Sequence, residues 1–191
     1  MISLELILLM LLGVPVILLL FFILVYNTLV YKRNNVLRAY SSIDVYLKKR
    51  RDLIPNLVNT VKAYMKHERE LLENVTRLRE QIEKSNDVNQ KINLESQLSG
   101  TLAVIKARAE AYPELKANQN FLQLQATLTE IEDSIAASRR FYNDAVNDYN
   151  TFVQQFPYMI VANMFGFRQM EFFNIPEVER QNIDVKELFN Q

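Results

Sequence analysis

The chain has 191 residues, one histidine, no cysteine, and 22 basic side chains balanced by 22 acidic ones, so its formal net charge is zero. The lack of cysteine excludes disulfides and thiolate chemistry, and it suits a reducing or an oxidising compartment equally. Three Gly and five Pro in the whole chain exclude a turn-rich β protein and long flexible linkers.

No Asp, Glu, Lys or Arg occurs from Leu6 to Tyr31, and Leu6–Val25 reads LILLMLLGVPVILLLFFILV. About twenty such residues at 1.5 Å rise per residue span roughly 30 Å, the thickness of a hydrocarbon core. Gly13 and Pro15 lie inside the run; a membrane helix tolerates a proline because neighbouring groups re-satisfy the freed carbonyl. Tyr26 and Tyr31 stand where interfacial aromatics are expected, and Lys32 and Arg33 follow as a stop. A cleaved signal peptide would need a basic start, a shorter apolar stretch and a small-residue cleavage site. This chain begins Met-Ile-Ser-Leu-Glu and has no such site after the run, so residues 1–31 are read as a retained transmembrane anchor. Lys32, Arg33, Arg38, Lys48, Lys49, Arg50 and Arg51 flank its C-terminal side, with no basic residue before it. That asymmetry predicts an outside N-terminus and a cytoplasmic C-terminal domain.

From Val36 onward the apolar spacing is helical. Alternating steps of four and three residues visit Val36, Tyr40, Ile43, Leu47, Arg50, Ile54, Leu57, Val61, Tyr64, Glu68, Leu71, Val75, Leu78 and Ile82. Twelve of these fourteen stations are apolar or Tyr, a coiled-coil-like seam. The phase survives Pro55, which favours one long helix kinked at Asp52–Pro55 over two helices, although the proline removes a hydrogen bond near Arg51. Ser85–Asn89 reads as a connection. A second helix carries Ile92, Leu94, Leu98, Leu102, Ile105 and Ala109 and should stop near Tyr112, before Pro113. Asn118 or Asn120 offers a cap for the last long helix, which runs through Phe121, Leu128, Ile135, Tyr142 and Tyr149 to Phe156. Amphipathic helices with short connections pack as sequence neighbours in antiparallel order. The expected fold is therefore all-α. The transmembrane helix is followed by an up-and-down bundle of three to four long helices over residues 32–156, and then by an apolar C-terminal segment and tail over 157–191.

These blocks, in this order, resemble the LemA family of bacterial membrane proteins. The resemblance rests on Tyr26-Asn27-x-Leu29-Val30, Ile43-Asp44-Val45, Arg50-x-Asp52-Leu53-Ile54-Pro55-Asn56-Leu57-Val58 and His67-Glu68. It continues with Tyr112-Pro113-x-Leu115-Lys116-Ala117, Arg139-x-x-Tyr142-Asn143-x-x-Val146-x-x-Tyr149-Asn150, Phe156-Pro157, Gly166-Phe167 and Phe172-Phe173. Arg51 departs from the pattern, where an aromatic or His is expected. The resemblance implies a helical bundle attached to the bacterial cell membrane and implies no reaction, cofactor or substrate.

The residues themselves supply little for catalysis. His67-Glu68-Arg69-Glu70-Leu71 begins like a zinc-protease motif but has Leu71 where the second ligand must be. One histidine cannot complete a di-iron carboxylate bundle, and a Ser-His-Asp triad lacks any nucleophile elbow. Three scattered glycines exclude a Gly-rich phosphate loop. The basic residues Lys48–Arg51 have no aromatic stacking platform for nucleic acid. Lys32, Arg33 and Arg38, beside the anchor, suit anionic lipid headgroups, worth about 1 kcal/mol each near the surface; a solvated basic face is the plainer reading.

Other features point to structure or to contact. Arg50 and Glu68 occupy seam stations and Arg139 lies beside one, so each should be paired or opened to water. Glu68 or Glu132 is expected to pair with Arg139 or Arg50, either as register-fixing ion pairs or as part of a binding site. Tyr142-Asn143 and Tyr149-Asn150 repeat a dipeptide seven residues apart, on one helix face, for packing and interhelical hydrogen bonds. Pro157–Phe173 is rich in Met and aromatics. Met159, Ile160, Met164, Phe165, Phe167, Met170, Phe172 and Phe173 are candidates for partner or membrane contact unless Gly166 turns the segment back onto the bundle. The tail, with Ile183, Val185, Leu188 and Phe189, reads as a short amphipathic segment or a mobile end.

The expected function is a non-enzymatic, membrane-anchored scaffold, with no cofactor, metal or small-molecule substrate. Its expected partners are the lipid bilayer, further copies of the chain as a homo-oligomer, and a membrane protein. The alternative is a membrane-shaping or membrane-patching protein acting as an ordered homo-oligomer.

Overall fold

The computed structural model describes residues 4–85 and 87–173. The amphipathic reading of the tail after Phe173 lies outside them. Among the described residues there are six helices and no strand: α1 Leu4–Lys62, α2 Arg69–Lys84, α3 Val88–Ala109, α4 Pro113–Lys116, α5 Gln119–Gln154 and α6 Tyr158–Met164.

α1 runs unbroken through Pro15 and Pro55. Pro55 lies on the exposed side of the helix, where water can take the carbonyl that its missing N–H leaves free. The seam expected to continue from Val36 to Ile82 in one helix is instead interrupted between Lys62 and Arg69. The amides of Tyr64 and Met65 share the Val61 carbonyl, at 3.0 and 2.8 Å, and the Glu68 amide bonds to the Met65 carbonyl at 3.2 Å. No Gly or Pro forces this turn. Val61, Met65, Leu72 and Val75 are all buried in one cluster, and packing them together overrides a helical propensity that local sequence would have sustained. The charged station at Glu68 marks the place.

The α3 and α5 boundaries follow their local signals. α3 stops ahead of Pro113, which then begins the single turn of α4 as its first residue. The Asn118 side chain, rather than that of Asn120, caps α5: its Oδ1 accepts the Phe121 amide at 3.0 Å, while its Nδ2 donates to the Tyr64 hydroxyl at 3.0 Å.

The chain divides into two compact units. One comprises Ile43–Ala137, a helical bundle of the end of α1, α2, α3, α4 and the start of α5. Its core joins Ile54, Leu57 and Val61 to Leu78 and Ile82, to Leu98 and Ile105, and to Leu115 and Phe121. The other comprises α1 up to Ser42 together with Ser138–Phe173. There Val25, Leu29 and Val36 of α1 pack with Val146, Tyr149 and Val153 of α5 and with Val161 and Ala162 of α6.

Candidate functional site

Three arrangements stand out, two in the unit that holds the apolar end of α1 and one in the Ile43–Ala137 bundle. In the bundle, Arg50 is completely buried on the apolar side of α1. Its Nη1 donates to Glu132 Oε1 at 2.6 Å and to Ser99 Oγ at 2.5 Å. Its Nη2 donates to Glu95 Oε2 at 2.5 Å and to the Glu95 carbonyl at 3.2 Å. The other Glu95 oxygen accepts from Arg51. Burial opposes the Arg50 charge, but the adjacent carboxylates of Glu132 and Glu95 and their hydrogen bonds outweigh it, so its pKa rises above an already high value. The guanidinium fork is thus permanently charged and ties α1, α3 and α5 at one level.

The cluster joins Arg50 to Glu132 and excludes the other two charges singled out in the sequence. Glu68 lies 3.8 Å from Arg108, and the Arg139 guanidinium lies over the Phe173 ring at 4.9 Å. Glu95, Ser99 and Arg51 were missed. Glu95 stands three residues before Leu98 and seven before Leu102, on the apolar face of α3, and Arg51 was legible only as one of the basic flank and as a departure from the family pattern. Glu132 and Ser99 also line a cavity of about 320 Å³ whose apolar wall includes Leu57, Leu102, Phe121 and Leu128.

The second arrangement is made by the repeated Tyr-Asn dipeptide. Its hydrogen bonds reach a non-helical stretch after α6 rather than another helix. Asn150 donates Nδ2–H to the Met170 carbonyl and accepts the Met170 amide, both at 2.8 Å. Asn143 pairs in the same way with Phe173, at 3.2 and 2.8 Å. The Tyr149 hydroxyl donates to the Arg168 carbonyl and that of Tyr142 to the Glu171 carbonyl, each at 3.0 Å. The register has a simple cause. Seven helical residues advance about 10.5 Å, and three extended residues advance about 10 Å. A heptad on α5 therefore meets every third peptide of a chain running beside it. Burial raises the pKa of both phenols; Tyr40 and Glu171 add to this at Tyr142, whereas Arg33 opposes it at Tyr149.

The turn that delivers this stretch is made by Gly166, at φ +71°. The Phe167 amide bonds to the Ala162 carbonyl at 2.9 Å and the Gly166 amide to that of Asn163 at 3.3 Å, the paired bonds of a Schellman ending to α6. Segment 157–173 therefore folds back within its unit, with Val161 and Ala162 buried, while Met159, Ile160, Met164, Phe165 and Phe172 remain exposed. Phe167, Met170 and Phe173 are partly covered.

The third arrangement is a row of aromatic rings along one side of α1. Tyr26 meets the Phe165 and Phe167 rings at 4.9 and 5.8 Å, and Phe21 stacks on Tyr158 at 6.5 Å. Tyr158 stacks in turn on Phe152 at 4.2 Å. Lys32 lies over Phe152 and forms an ion pair with Asp148 at 2.6 Å. Arg33 is exposed, and Arg38 bonds to Asn35 beside the Tyr31 ring. Before these rings and on the side of α1 away from them, the large aliphatic side chains from Leu11 to Leu24 lie uncovered; only 11% of the most apolar stretch is buried. The core helix of a water-soluble protein would hide them.

An uncovered apolar helix compatible with a membrane anchor, on a chain whose described residues form helices and no strand, defines the class: a helical, membrane-associated protein. No group of three or more potential metal ligands occurs among the described residues. The chain belongs to the LemA family, whose model matches residues 39–186. It is similar to Protein LemA of Metamycoplasma hominis, 27% identical over 165 residues that cover 86% of this chain and 75% of that one. It is also similar to Magnetosome protein MamQ 2 of Paramagnetospirillum magneticum, 29% identical over 90 residues that cover 47% of this chain and 33% of the relative. Magnetosome protein MamQ of Magnetospirillum gryphiswaldense is 27% identical over 73 residues, 38% of this chain and 27% of its own length. The matches thus span a third or less of the magnetosome proteins.

Proposed function

We propose that this protein is a non-enzymatic scaffold of the bacterial cell membrane, anchored by a single crossing of α1 and acting by self-association or by recruiting a membrane protein. The uncovered side chains between Leu11 and Leu24 carry this reading. Ten large aliphatics exposed together would cost on the order of 10–20 kcal/mol in water, a cost that lipid removes. The basic flank from Lys32 to Arg51 supports a cytoplasmic bundle and an outside N-terminus. The heptad seam is largely consumed within the chain, since Ile54, Leu57, Val61, Val75, Leu78 and Ile82 are all buried in one core. Self-association therefore draws on confinement of anchored chains to a plane, which raises their effective concentration. Mass measurement of the full-length protein in detergent tests it: an oligomer is expected, and a monodisperse monomer that captures no membrane protein would overturn the scaffold. A second reading, an ordered homo-oligomer that shapes or patches the bilayer, is favoured by the exposed apolar face of α6. It requires large regular particles and altered liposome shape.

A further inference from the structure

Two stretches of this chain carry no Asp, Glu, Lys or Arg: one from Leu6 to Tyr31, the other from Tyr149 to Phe167. They are far apart in sequence, yet in the fold they end on the same ion pair. Lys32, the first charge after the anchor, bonds to Asp148, the last charge before the second stretch. On the apolar side of that pair, the end of α5 and all of α6 pack along α1. Phe152 lies beneath Lys32, Tyr158 reaches Phe21, and Phe165 reaches Tyr26. From Lys32 back to Phe21 is about 16 Å along the α1 axis, which places Phe21 about 6 Å inside the apolar run that ends at Val25. The inner face of α6 is spent on the core through Val161 and Ala162; Met159, Ile160 and Met164 are exposed, and Phe165, just after the helix, is half exposed beside Tyr26.

We infer that α6 is a second membrane element, seated in the interfacial region of the leaflet that α1 leaves, with Ile160, Met164 and Phe165 among the phospholipid acyl chains. The inference rests on α1 crossing the bilayer. Its occupant follows from continuity: the exposed face of α6 lies beside an α1 surface that already requires lipid, and no charge separates them. An apolar face of this kind sinks about 5–10 Å below the headgroups. The Tyr-Asn clamp and the Gly166 turn hold α6 in place by fixing the chain that follows it. Because α6 has no basic residue, the contact is apolar and does not depend on anionic lipid.

The chain contains no tryptophan, so single substitutions Leu18→Trp, Ile160→Trp, Phe165→Trp and Leu122→Trp give unique reporters in the full-length protein. Each is reconstituted into phosphatidylcholine vesicles with brominated acyl chains, and its helical circular dichroism is checked. Fluorescence at positions 18, 160 and 165 should fall about twofold or more, the response of an indole seated within the acyl boundary. Leu122→Trp, on the bundle, should be unaffected. Without quenching of Leu18→Trp, the anchor reading itself fails. If Leu18→Trp is quenched while Ile160→Trp and Phe165→Trp behave like Leu122→Trp, the α6 proposal alone is overturned. Blue-shifted emission without quenching would mean that protein covers this face, which also overturns it. Met164→Trp replaces either α6 variant that fails the helicity check.

Discussion

Replacing Arg50 with methionine removes the centre of the buried charge cluster while keeping an apolar stem of similar length. The lost bonds are those to Ser99, Glu132 and both the side chain and carbonyl of Glu95. Breaking a buried pair by deleting one partner typically costs 3–5 kcal/mol, chiefly because the other charge is stranded. Two features hold the cost at the lower end. The Glu132 side chain is 42% exposed and can rehydrate, and Glu95 keeps Arg51. We therefore expect a loss of about 3 kcal/mol, which for a chain of this size lowers the melting temperature by roughly 6–12 °C. The measurement is helical circular dichroism of the full-length protein in detergent, during heating and in urea. Adding Glu95→Met to Arg50→Met removes the remaining buried carboxylate, which Arg51 alone compensates only in part, and should recover about 1 kcal/mol net of the Arg51 pair that it gives up. A single variant within about 0.5 kcal/mol of the parent would refute the reasoning, and so would a double variant less stable than the single.

Asn150→Ala strands the amide and carbonyl of Met170 together, so amide exchange at Met170 and Phe173 should accelerate by about tenfold or more, read by hydrogen–deuterium exchange. Protection unchanged from the parent would contradict the clamp. Gly166→Ala meets no atom within 4 Å, so its cost is the left-handed backbone alone, about 1–2 kcal/mol in thermal unfolding. Tyr142 and Tyr149 have raised folded-state pKa values, above the ordinary value of about 10. Their contribution is complete below that value and is lost as pH rises through the folded-state values. Alkaline titration should therefore release residues 168–173 to exchange, and Tyr142→Phe with Tyr149→Phe should abolish that pH dependence while lowering protection at neutral pH.

The helices and the anchor were legible because each rests on periodicity or on an uninterrupted apolar run. Val36, Ile54, Leu57 and Val61 announce their burial by spacing alone, and Asn118 and Pro113 announce helix ends by their side-chain chemistry. The turn after Lys62 was not legible, because it is set by which residues must meet in the core and no local breaker accompanies it. Arg50 and Glu132 stood out as charges near apolar stripes. Glu95 did not, although it stands seven residues before Leu102, because Leu94 beside it supplies the apolar residue that the stripe leads one to expect. The Tyr-Asn repeat was visible, but its partner was not. Periodicity tells which face of α5 carries the asparagines, whereas the chain that meets them arrives through a single glycine turn sixteen residues beyond Asn150.

The same repeat also fixes how long the clamp can be. One heptad earlier than Asn143, α5 presents Ala136, and three residues beyond Phe173 stands Pro176, which has no N–H to offer. One heptad after Asn150 comes Pro157, beyond the end of α5. The helix thus acts as a ruler with two graduations, blank on both sides: a slip of three residues one way would set Asn143 against Pro176, and the other way would set Asn150 against Phe167, whose amide the Ala162 carbonyl already holds. Two rungs suffice to set position and direction uniquely. The chain that follows α6 is held in a single register by a motif of four side chains.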